Sequence, residues 1–138
     1  MPYVDSNIFL YPAIYKLETV KEAGESKDFL LKISEGLLEA CTATITRDEV
    51  VWVVRKVFGS EPSIKLGRKF LEFPHLKLLD VKRSVVFRAQ RLMEKYKIKP
   101  RDAIHAATAL ENGIETFVSY DRDFDKLEEI KRLEPRSL

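Results

Sequence analysis

The sequence predicts an α/β fold, a three-layer α/β/α sandwich whose central, mostly parallel sheet has four to five strands. Three observations lead there. Short β-type apolar runs alternate with longer runs of helical spacing, the rhythm of a parallel sheet with helices on both faces. No repeat, low-complexity tract or Gly/Ser linker interrupts that rhythm, and 138 residues suit one domain spanning 1–138 with a real core. An apolar content of 45% beside a charged content of 33% describes a globular chain, not a disordered one.

The elements follow in order. PYVDS (2–6) opens as a short strand ending at Asp5. SKDFLLKISEGLLEA (26–40) sets Phe29, Leu30, Ile33, Leu37 and Leu38 at helical spacing. CTATIT (41–46) is short and rich in β-branched residues, a buried strand ending near Thr46. RDEVVWVVRKVF (47–58) follows as a helix, and after the break at Gly59, PSIKLGRKFLEF (62–73) reads as another. LKLLDV (76–81) is a strand, and KRSVVFRAQRLMEKYK (82–97) is an amphipathic helix. Pro100 starts the helix RDAIHAATALENG, which Gly113 closes. ETFVS (115–119) is a strand and IKRLEP (130–135) a last edge strand.

Composition narrows the function. With 24 basic and 22 acidic side chains the formal charge is +2, so any surface for nucleic acid must be local. The lone cysteine, Cys41, excludes an internal disulfide framework and fits a reducing, cytoplasmic setting, packed as a small core residue. No apolar run approaches the roughly 20 residues a membrane span needs, and MPYVDSNIFLY lacks the basic start of a signal peptide. Amide side chains are confined to Asn7, Gln90 and Asn112 while Lys and Glu abound, a bias resembling proteins from hot environments.

The acids are the informative residues. YDRDFDK places Asp121, Asp123 and Asp125 at alternate positions, as a calcium loop would begin. The sixth position of such a loop needs Gly and the twelfth Glu; here they are Lys126 and Arg132, and that reading fails. Parallel sheets put their sites at the carboxyl ends of strands, where the N-termini of crossover helices also gather. Asp5 and Asp121 end strands, while Glu49 and Asp102 lie in first helical turns, so one edge should collect all four. Three of them have a local alternative, while Asp5, closing an apolar strand, needs a partner. Thr46 to Glu49 matches a capping box, Asp102 complements a helix dipole, and Asp121 can close an Asx-turn.

Together these alternatives are strained. Two carboxylates about 5 Å apart repel by roughly 3 kcal/mol at an effective dielectric near 20. Four in one place reach on the order of 10–20 kcal/mol, against a typical stability of about 5–15. Protonation or bound cations must relieve this, since no Lys or Arg is positioned by sequence to do so. Asp5→Asn or Asp102→Asn is therefore expected to leave the fold intact, or to stabilise it without metal. Oxygen ligands without His or Cys select Mg²⁺ or Mn²⁺, ions suited to phosphodiester hydrolysis.

Taken in order, YVDSNIF, ITRDEVVWVV, KPRDAIHAATAL and FVSYDRDF resemble the PIN-domain signature along essentially the whole chain. The size suggests the VapC-like branch, the toxin half of bacterial and archaeal toxin–antitoxin pairs. The resemblance implies a metal-dependent endoribonuclease acting on RNA, normally a homodimer, held inactive by a cognate antitoxin. It sets Asp5, Glu49, Asp102 and Asp121 on the family's acidic quartet and Asp123 on an additional metal-binding acid. Asn7 and Ser119 fall on polar positions that orient those carboxylates, and Asp125 on none, leaving it solvated.

Other residues have two readings. Lys99 and Arg101 can hold RNA phosphates or stand as solvated charges. His105, three residues after Asp102, reads as a residue packed where sheet meets helix. Trp52 reads as core or dimer interface, and Leu66 with Phe70 as a stripe that can serve dimerisation. The rivals to the nuclease are a receiver-like phosphoacceptor domain and a PIN scaffold used only for binding. The receiver needs paired acids after its first strand, where Ser6 and Asn7 follow Asp5, and a phosphoacceptor on a strand-end loop, where Asp48 opens a helix.

Overall fold

The computed structural model describes residues 1–138. Five strands form one sheet in the order β3-β2-β1-β4-β5, every neighbouring pair parallel. They are β1 (Tyr3–Val4), β2 (Ala40–Ala43), β3 (Leu76–Leu79), β4 (Thr116–Val118) and β5 (Lys131–Leu133). The helices are α1 (Ser6–Ile14), α2 (Lys21–Ser34), α3 (Ile45–Phe58), α4 (Ser60–Leu71), α5 (Arg83–Tyr96) and α6 (Pro100–Glu111). The chain moves outward from β1 to β3 and then returns to lay β4 against the other side of β1. That reversal makes the gap between the ends of β1 and β4 the topological switch point, where open parallel sheets bind ligands.

Alternation along the central strands separates the two cores. Tyr3 and Phe117 face the layer of α5 and α6, joining Ala103, Ala106 and Ala107. Val4 and Val118, one residue on, face the layer of α1 to α4, joining Ile8, Phe29, Val50 and Phe70. The register pairs Tyr3 with Phe117 and Val4 with Val118, so like faces like across the switch point. Small alanines on α6 let that helix approach the sheet closely, which brings its first turn to the carboxyl edge.

Four expectations change. Helix α1 was not expected, because SNIFLYPAI is apolar on nearly every side and holds Pro12, so it lacks an amphipathic stripe. The helix expected over 26–40 is α2, which begins at Lys21 and ends at Ser34, leaving Leu37 exposed beyond it. The strand expected to reach Thr46 stops at Ala43, and Thr46 lies inside α3 with its hydroxyl on Thr42, 2.6 Å away. Glu49 therefore cannot close a capping box on Thr46. Phe70 packs edge-on against Phe9 in the core, so it is not free for a dimer contact, while Trp52 is 53% exposed and is no core residue.

Candidate active site

Asp5 follows β1 directly and caps α1, its Oδ1 accepting the Ser6 amide at 2.8 Å. Its Oδ2 accepts the Ser119 hydroxyl at 2.7 Å across the switch point. That hydroxyl in turn accepts from the Asn7 side-chain amide at 3.1 Å and the Asp121 backbone amide at 3.0 Å. Ser119 thus links Asp5, Asn7 and the chain leading into Asp121. Burial pushes the Asp5 carboxyl above its usual range, against the opposing pull of His105, Ser119 and the Ser6 amide.

Glu49 turns inward from α3 while its neighbour Asp48 points to solvent, 75% exposed and paired with Arg47 at 2.8 Å. One Glu49 oxygen meets His105 Nε2, and Ser6 Oγ donates to the other at 3.4 Å. His105 is buried on α6, as expected of a residue between helix and sheet, yet it is fully engaged: Nε2 on Glu49 and Nδ1 on the Tyr3 hydroxyl at 2.5 Å. Burial opposes its charging, but Glu49 and Asp5 outweigh that and hold its pKa above the ordinary value. Burial, and then Asp5, push the Tyr3 phenol well above its usual range. Nothing in the sequence foretold this network, which depends on α6 crossing β1.

Asp102, Asp121 and Asp123 form a second group. One carboxylate oxygen from each lies within 4.8 Å of the others. Asp121 Oδ1 accepts the Asp123 amide at 2.9 Å, so the Asx-turn is real and coexists with a place in the cluster. Asp102 Oδ2 is buried and has no hydrogen-bond partner. Burial, then the charges of Asp5 and Asp121, push the Asp102 carboxyl up to about 6. No Lys or Arg forms a salt bridge with Asp5, Glu49, Asp102 or Asp121; Lys126 stands 3.8 Å from the more exposed Asp123. The donor set is carboxylate oxygen, three ligands are gathered, and one buried oxygen lacks a partner. These residues fit a hard divalent cation such as Mg²⁺ or Mn²⁺.

Asp125 stands apart. It is not merely solvated: Arg132 of β5 holds it at 2.8 Å and also reaches Glu134 at 3.1 Å. Lys99 and Arg101 are exposed at the start of α6.

An acidic edge at the β1/β4 switch point, with Asn7 and Ser119 bracing Asp5, agrees with what comparison finds: residues 3–130 match the PIN domain. The chain belongs to the PIN-domain family. The receiver-like alternative falls with that finding. No curated protein matches the chain by sequence. Among solved structures, this PIN domain is similar to a toxin–antitoxin complex from Klebsiella pneumoniae, at 20% identity and a TM-score of 0.69 over 98% of each chain. It is similar to FitAcB from Neisseria gonorrhoeae, at 19% identity and 0.71 over 100% of both. It also resembles VapC20 of Mycobacterium tuberculosis, a toxin that cleaves the sarcin-ricin loop, at 13% identity and 0.73 over 91% of this chain and 93% of that one. No helix of the structure is long and apolar enough to cross a membrane.

Proposed function

We propose that this PIN domain is a metal-dependent endoribonuclease acting in the cytoplasm, the toxin of a toxin–antitoxin pair. The observation behind this reading is the partnerless buried oxygen of Asp102 beside Asp121 and Asp123, a set in which only the more exposed Asp123 has a lysine nearby. VapC20, similar in fold, is a toxin that cleaves the sarcin-ricin loop, and the Klebsiella pneumoniae structure is a toxin–antitoxin complex; both support extending those properties to this chain.

Asp102, Asp121 and Asp123 would hold Mg²⁺ or Mn²⁺, with Asp5, whose charge acts on Asp102, adding to the negative field around the ion. When bound, such an ion makes water a stronger nucleophile and offsets charge developing on the phosphate oxygens. The chain's own groups do the rest. Ser119 and the Ser6 amide keep Asp5 in one orientation. Glu49, held between His105 and Ser6, offers a fixed acceptor for the attacking water. Lys99 and Arg101, exposed beside Asp102, suit contacts to flanking phosphates. Attack by water with the 3′-oxygen as leaving group, which the resemblance to PIN nucleases implies, would leave 5′-phosphate and 3′-hydroxyl ends. The exposed apolar residues Trp52, Phe58 and Ile64 of α3 and α4 support a homodimer contact on that layer.

A mixed single-stranded RNA pool, incubated with Mn²⁺, Mg²⁺ or EDTA, tests the activity. Metal-dependent cutting by the wild type that disappears in Asp102→Asn is expected. A folded wild type that cuts nothing with any metal would overturn the nuclease in favour of a scaffold that only binds.

A further inference from the structure

The geometry points to Tyr3 and His105 as positioning residues that present a protonated Nε2 to Glu49, assigning Glu49 to the attacking water and leaving the metal to the aspartates. This deepens the proposed nuclease reading and rests on it for the role given to Glu49.

The inference comes from counting protons through a buried network. The Ala43 amide donates to the Tyr3 hydroxyl oxygen at 3.1 Å. The two nearby threonine hydroxyls have their protons committed, Thr42 to the Val4 carbonyl at 2.7 Å and Thr46, consequently, to Thr42 at 2.6 Å. The one side-chain acceptor within hydrogen-bond distance of the Tyr3 hydroxyl is His105 Nδ1, at 2.5 Å, and the Tyr3 proton is assigned to it. A neutral imidazole accepting at Nδ1 must carry its hydrogen on Nε2, where it faces a Glu49 oxygen. A charged imidazole also donates from Nε2. Between the two neutral tautomers, Tyr3 therefore selects the one with hydrogen on Nε2 and excludes the one whose bare Nε2 would confront a carboxylate lone pair. Glu49 receives a donor from His105 whatever the ring's charge.

The second observation concerns what Glu49 is not. Its carboxylate lies outside the Asp102, Asp121 and Asp123 group, with His105 on one oxygen and, 3.4 Å from the other, a Ser6 hydroxyl that also reaches Asp5 at 3.5 Å. A carboxylate braced by a buried imidazole is oriented for a small acceptor task. The three aspartates receive no comparable bracing from side chains. The division of labour is thus built from hydrogen bonds: a braced acid orients water, and the unbraced acids take the ion.

Two substitutions separate positioning from space-filling. His105→Gln keeps an amide N–H at the place of Nε2 and loses the link to Tyr3. His105→Asn keeps a group near Nδ1 and loses the donor to Glu49. The turnover number for RNA is expected to fall about tenfold or more further in His105→Asn than in His105→Gln. Calorimetric Mn²⁺ affinity is expected to stay within about threefold of wild type in both. Equal turnover in the two variants, or Mn²⁺ affinity lost in step with turnover, would overturn the assignment. Should both variants unfold, ¹⁵N–¹H correlation spectra of the wild-type imidazole still decide, recorded above the pH at which it titrates. Hydrogen on Nε2 and a bare Nδ1 are expected; the reverse would overturn the relay. A wild type that binds Mn²⁺ and shows the expected tautomer but cuts no RNA would sink the role given to Glu49 along with the nuclease, leaving the tautomer and the aspartate metal site standing.

Discussion

Asp5 and Asp102 stand at the same edge of the sheet and differ in what surrounds them. Asp5 has both oxygens hydrogen-bonded, to the Ser6 amide and the Ser119 hydroxyl, and a histidine 3.9 Å away. Asp102 has a buried oxygen bonded to nothing, two neighbouring aspartates and no basic partner. Glu49 belongs with the first and Asp121 and Asp123 with the second. The contrast teaches that repulsion alone does not define an acidic site. Half of this edge is satisfied by the protein and is already in working geometry; the other half is left for a cation to complete.

The contrast breaks most visibly in activity. Asp102→Asn and Asp121→Asn should each lower Mn²⁺-dependent RNA cleavage on the order of a hundredfold or more while the circular dichroism spectrum is unchanged. Undiminished cleavage by either variant would remove that residue from the open half.

Stability should then divide the halves in opposite directions. Asparagine at position 5 would set an NH₂ against one of two donors, so Asp5→Asn is expected to cost about 1–3 kcal/mol in urea unfolding. This revises the expectation drawn from repulsion alone, which treated Asp5 and Asp102 alike. Burial already raises the Asp5 carboxyl, so relief of its charge offsets part of this cost, and a more stable Asp5→Asn protein would mean that the relief exceeds the mismatch.

The pH dependence sharpens the other side. The carboxyl of Asp102 is raised to about 6 in the fold from an ordinary 3.8. The folded state therefore holds a proton that the unfolded chain has released, and stability is lost as pH rises from about 4 through about 6. Without metal, Asp102→Asn should match wild type below about pH 4 and exceed it above about pH 6 by at most about 2 kcal/mol, the partial exposure of the group trimming the shift. Melting curves of the two proteins across that range are the check, and a constant difference would contradict the assignment.

The smallest effect is expected outside both halves. Asp125→Ala removes an exposed pair with Arg132 and should change stability by less than about 1 kcal/mol and cleavage not at all.

Much of this edge was legible in the sequence because strand ends and helix starts are local signals. PYVDS and FVSYD end apolar runs with an acid, and Pro100 fixes the start of the helix holding Asp102. What could not be read depends on distant approaches. His105 acquires Tyr3 and Glu49 as partners only once α6 lies across β1, and a histidine on an apolar face gives no hint of which partners await it. Thr46 offered a plausible cap until α3 proved to begin one residue before it, at Ile45. The helix α1 escaped notice because a segment apolar on all sides carries no periodic stripe. Arg132 reaches Asp125 only because β5 returns beside β4.

The division of the acidic edge is tested most directly by titrating Mn²⁺ into wild type, Asp121→Asn and Glu49→Gln and following the heat of binding. Binding by the wild type that is lost in Asp121→Asn and retained in Glu49→Gln is the expected result. Equal loss in both variants, or a wild type that binds no Mn²⁺, would contradict it.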